Sequence, residues 1–185
     1  KNMNKLILFF ALFACASAID ITGNFSATFN RTTTNKHGTF SAIHQMYSDA
    51  VNQTFSDTVY APNGNITTLS FSNATAGTTL TYTYSVTKTA KVCTNSTSKH
   101  GFSAYFDWAK KADKLPTQCT GTLGSGDQYE RKAGHEEKAV CVTSGGVVVQ
   151  STHVEENPQN EEEDVFSAFT IGRPAASVFT VPSFC

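Results

Sequence analysis

Leucine and long apolar runs are what this chain has least of. Its 185 residues include seven Leu, one Trp, two Met and five Pro. So few strong helix formers argue against a helical bundle. The longest apolar run, Leu6 to Ala14, has nine residues, about half of what a membrane-spanning helix needs. Basic residues are not in excess, so the electrostatic footprint of a nucleic-acid binder is missing and no nucleic-acid partner is expected. The usual enzymatic patterns are missing too. His37, His44, His100, His135 and His153 form no metal-binding pair four residues apart, and Gly124-Ser125-Gly126 lacks the full nucleophile-elbow pattern. No glycine-rich phosphate loop follows a strand. The chain is therefore expected not to be an enzyme, with a hydrolase hidden in its middle as the remote alternative.

What is present begins with a secretory pattern. Met3 reads as the initiator, followed by Asn4 and Lys5, the apolar run, and the small-residue site Ala16-Ser17-Ala18. Residues 1–18 read as a signal peptide and residues 19–185 as one mature domain, with a secreted, extracellular or lumenal (lysosomal) destination and no transmembrane span. Without the leader, Lys plus Arg number 12 against 15 acids. Cys15 is also lost, leaving Cys93, Cys119, Cys141 and Cys185. Four cysteines in an oxidising compartment read as two disulfides, with three connectivities open.

Threonine and serine make up a quarter of the mature chain, and with Val, Phe and Tyr they suit a pleated, half-buried surface. Period-two alternation is clear at Phe25, Ala27 and Phe29, at Phe40, Ala42, His44 and Met46, and at Leu80, Tyr82, Tyr84 and Val86. Shorter strands are expected over 55–60, 66–71, 128–132, 139–142, 147–150 and 165–170. Pro62-Asn63-Gly64-Asn65 and Ser144-Gly145-Gly146 are turn sequences. Ser103 is placed to cap a short helix through Ala112. Glu155 to Asp164, polar and carrying Pro158, reads as an exposed loop. The spacing predicts an all-β fold with minor helix: nine to eleven short antiparallel strands in a curved sheet or partly open barrel.

Six glycosylation sequons stand at Asn24, Asn30, Asn52, Asn65, Asn73 and Asn95. They fall on polar strand faces or in turns, and all lie before residue 96. Glycans are expected to coat one side and leave the other open. No cofactor is firmly expected; Glu161, Glu162, Glu163 and Asp164 are weak candidate ligands for calcium, but the spacing of a calcium loop is absent and a solvated acidic loop is the favoured reading. The aromatic residues ask for a second sheet or for a cavity. Phe40, Tyr82, Tyr84, Phe102, Trp108 and Phe169 are the candidate lining of a pocket for an apolar ligand.

The ending Ser177-Val178-Phe179-Thr180-x-Pro182-Ser183-x-Cys185 resembles the C-terminal signature of ependymin-related proteins. Tyr47-x-Asp49-x-x-Asn52-Gln53, Tyr82 and Tyr84 leading to Cys93, and Val140-Cys141-Val142 support the likeness in the same order. The resemblance implies a secreted, disulfide-bonded glycoprotein with a half-open barrel of the lipoprotein-carrier (LolA-like) type enclosing an apolar pocket. It implies lipid as the ligand, with calcium-dependent adhesion to extracellular matrix as the alternative and a homodimer as an open possibility. It also implies that Cys93 pairs with Cys185, leaving Cys119 for Cys141. The chain departs from the family pattern in having no mature cysteine before Cys93.

Overall fold

The computed structural model describes residues 19–185, so the signal peptide expected over 1–18 lies outside the described residues. Eleven strands run in chain order: β1 (Asn24–Asn35), β2 (Gly38–Asp49), β3 (Thr54–Ala61), β4 (Gly64–Asn73), β5 (Thr78–Val86), β6 (Lys91–Ser98), β7 (Asp113–Gly121), β8 (Gly124–Ala133), β9 (Glu136–Val142), β10 (Val148–Glu156) and β11 (Gln159–Ile171). All pair antiparallel in a single sheet ordered β6-β5-β4-β3-β2-β1-β11-β10-β9-β8-β7. The expected all-β class and curved, unclosed sheet are what the structure shows. Among the described residues no helix is long and apolar enough to cross a membrane.

Two hairpin meanders, β1–β6 and β7–β11, are joined side by side through β1 and β11. The edges are therefore β6 and β7, which are consecutive in sequence. Ten interstrand spacings lie between them, about 48 Å along the sheet. The connecting segment 99–112 includes a 3-10 helix at Asp107–Lys111 and reaches at most about 45 Å. It also dips to bury Phe106 and Ala109. Its length thus requires the sheet to curl.

Hairpin turns use the expected glycines: Gly64 closes β3–β4 at φ 136° and Gly146 precedes β10 at φ 79°. A helix from Ser103 does not form. The helical turn begins only after Phe106, with the Ala104 N–H donating to Asp107 Oδ2 at 2.8 Å. The loop expected over 155–164 is instead the β10–β11 hairpin, turning at Asn157-Pro158. Backbone pairing carries it out past the apolar core, which is why its side chains read as loop.

The two faces of the sheet bury different clusters. On the inner face, Phe25, Ala27, Phe29, Met46, Val140, Phe166 and Phe169 meet Phe106 and Ala109 of the crossing segment. Their rings lie 4.9–6.4 Å apart. A register shift at Thr28/Phe29 lets both Phe166 and Phe169 face inward although they are three residues apart. On the outer face, register puts Phe71, Leu69, Leu80, Tyr82 and Tyr84 together, and Leu69 is fully buried. The C-terminal tail covers them. Its Arg173 reaches Asp49 at 3.0 Å, its Phe184 ring meets Tyr84 at 5.9 Å, and Cys185 is bonded to Cys93. The second disulfide joins Cys119 to Cys141 with Cα atoms 5.9 Å apart, closer than β7 and β9 could be with a strand laid flat between them. At that point β8 carries Gly126, where a Cβ would stand 2.2 Å from the Val142 carbonyl oxygen.

Candidate functional site

Inner-face rows, read across the pairing register, assemble a charged pocket beside the aromatic core. One row runs Ala42, Arg31, Asp164, Ser151, Val140, and the next runs Phe40, Thr33, Glu162, His153, Lys138. Tyr105, Phe106 and Trp108 of the crossing segment form the roof. The cavity between them holds about 180 Å³.

Asp164 is the buried centre. Its carboxylate accepts from Arg31 Nε at 2.7 Å and Nη2 at 2.9 Å, from the Tyr105 hydroxyl at 3.1 Å and from the Ser151 hydroxyl at 3.3 Å. Arg31 adds Glu162 at 3.1 Å and lies 5.6 Å over the Phe29 ring. Burial alone would lower the Arg31 pKa, but its hydrogen bond to Asp164 and the charges around it hold it above the ordinary value. Burial, followed by the Asp164 charge, pushes the Tyr105 hydroxyl up as well, so neither group titrates near neutrality. A buried charge needs this degree of pairing. The network ties the crossing segment to β1 and β11, and Glu162, His153, Lys138 and Trp108 line the rest of the cavity.

The six residues expected to line one pocket are not brought together. Only Trp108 lines the charged cavity. Phe169 is in the filled inner core, Phe102 is half-buried in the crossing segment, and Phe40 is exposed near the end of the inner face. Tyr82 and Tyr84 face the other side, under the tail. Alternation shows which residues of one strand share a face; it does not say which face another strand presents. Arg31, Tyr105, Ser151 and His153 were missed, though Arg31 had a signal. It continues the inward series Phe25, Ala27, Phe29, and an inward charge calls for a buried partner.

The four acids nominated for calcium also divide. Glu161 and Glu163 point to one face, and Glu162 and Asp164 to the other. Glu163 accepts from Gln150 at 2.6 Å. Among the described residues, the group with ligand atoms within 4.8 Å of one another is Glu136, His153 and Glu155. Lys138 lies 2.8 Å from Glu136 and holds its carboxyl below the ordinary value. Of the sequon asparagines, Asn30, Asn52, Asn65, Asn73 and Asn95 are exposed. Asn24 is half-buried, with Oδ1 accepting from the Ala50 N–H at 2.9 Å.

No family model matches the chain, and no curated protein matches it. Among solved structures, it is similar to an outer membrane lipoprotein-sorting protein domain from Vibrio parahaemolyticus. That likeness has 9% identity over 80% of this chain and 85% of the other, with a TM-score of 0.28. It is also similar to a DUF1329 family protein from Desulfovibrio piger, with 9% identity over 87% and 91% of the two chains and a TM-score of 0.35. At these values the likenesses carry no argument about what the chain binds.

Proposed function

We propose that the chain is a secreted, N-glycosylated, ependymin-like binding protein that takes an amphiphile, a lipid, on the inner face of its open sheet. The observation that carries this reading is the arrangement of that face. At the charged mouth, exposed Phe40 lies in the row of Glu162 and beside the row of Arg31, and exposed Ile66 and Val92 lie on the same face farther across. The cavity of about 180 Å³ is smaller than a pocket for a drug-sized ligand. It suits a polar head group, with the acyl chain laid along the uncovered apolar side chains. Binding is then equilibrium sequestration, with no bond made or broken. The ependymin-like ending is consistent with this reading, because it is the segment that closes the outer face.

The test is titration of the secreted protein with saturated fatty acids of increasing length, read by displacement of a fluorescent fatty-acid probe. Each buried methylene is worth about 0.8 kcal/mol, so affinity should rise about fourfold per carbon. Phe40→Ser should lower this slope and Trp108→Ala should weaken all lengths alike. An affinity independent of chain length would overturn the proposal.

A further inference from the structure

One row of the outer face beside the tail is exposed and largely apolar. Register aligns Val165, Asn30, Ile43, Tyr60, Asn65 and Val86 side by side across β11, β1, β2, β3, β4 and β5. Four of the six are large apolar residues, exposed to 39% (Val165), 53% (Ile43), 41% (Tyr60) and 40% (Val86). Single exposed apolar side chains are unremarkable, but a contiguous row asks for a covering. This row extends for about 24 Å. The adjacent row, through Thr67, Tyr84 and Cys93, is the one at which Cys185 is anchored, so among the described residues the tail is held one row short of this one.

The other two members of the row are sequon asparagines. Asn30 stands between Val165 and Ile43, and Asn65 between Tyr60 and Val86. Both are exposed, and neither side chain makes a hydrogen bond that a glycan would break. We infer that N-linked glycans on Asn30 and Asn65 are the covering of this apolar row, a role the other sequons do not share. An N-glycan is bulky and solubilising, and rooted at these positions it reaches apolar neighbours on both sides along the row. It also blocks β-sheet stacking or a protein partner at this face, leaving the inner face as the open one. The inference rests on the secreted-glycoprotein reading above.

The experiment uses the full chain expressed through a secretory pathway, with site occupancy mapped by peptide mass spectrometry after enzymatic deglycosylation in heavy-oxygen water. Asn30→Gln/Asn65→Gln should gain bis-ANS fluorescence and shift from monomer to larger species by light scattering. Thr75→Ala/Thr97→Ala, which removes the sequons at Asn73 and Asn95, should do neither. Adding Ile43→Thr and Tyr60→Thr to the first variant should return it to monomer. If the double variant is not secreted, deglycosylation of the folded parent supplies the same comparison, and should produce the dye binding and association. Asn30 and Asn65 unmodified while other sequons are occupied would overturn the inference alone, as would a monomeric, dye-silent double variant. No occupied sequon at all would overturn the glycoprotein reading with it.

Discussion

Asp164 and Asp49 are both buried carboxylates that an arginine neutralises, yet they act on opposite faces of the sheet. Asp164 makes four contacts and has a side chain 4% exposed. Asp164→Ala leaves the Arg31 guanidinium with Glu162 as its remaining carboxylate, and removing one partner of a buried pair costs about 3–5 kcal/mol. Urea unfolding should show that loss, and a change under about 1 kcal/mol would mean the pair behaves as a surface contact. At Asp49, burial would raise the pKa, but the hydrogen bond from Arg173 and the backbone N–H groups of Asn52 and Val51 outweigh it and lower it from 3.8. A depressed carboxyl contributes stability above its unfolded pKa, and that contribution is lost as pH falls through the folded value. The Tm of the parent should therefore drop below pH 3.8 more steeply than that of Asp49→Asn. Equal slopes in a pH series of melting curves would rule out this role.

At the scale of elements, the tail acts as a clasp, because Cys185 is its only covalent hold on β6. The Cys93–Cys185 bridge closes 92 residues. In the chain-entropy account a loop of that size is worth about 4.6 kcal/mol. Cys93→Ser/Cys185→Ser should lose stability of that order and uncover Tyr82 and Tyr84, seen as faster quenching of tyrosine fluorescence. Unchanged quenching would mean that packing by Phe179 and Phe184 holds the tail unaided. The edge strands show why some elements escape a sequence reading. β6 presents mostly polar residues on both sides, and β7 carries Pro116 at a break in its pairing with β8 between Lys114 and Gln118. Proline is tolerated there because an edge strand has one side free of ladder bonds.

The whole molecule is closed at its middle. The first and last strands pair along the sheet centre, and the two edges come from the middle of the chain. Stability should be highest where both neighbours and both the ion pair and the aromatic core coincide. Native-state hydrogen exchange is expected to be slowest for amides of β1 and β11 and fastest in β6 and β7. Slow exchange at the edges would contradict a single sheet organised about β1 and β11.

Strand content, the sharing of a face within each strand and the glycine turns were legible in the sequence, because period two and positive φ are local properties. Phe25, Ala27 and Phe29 declared an inward face, and Gly64 declared a turn. The clustering of sequons before residue 96 was equally plain. Tertiary structure alone decided the rest. The pairing of β1 with β11, the register shift that turns both Phe166 and Phe169 inward, and the separation of Tyr82 and Tyr84 from Trp108 depend on contacts between residues far apart in the chain. So does the alignment of Asn30 and Asn65 in one apolar row. A strand's own pattern says which residues travel together; only the register with its neighbours says what they meet.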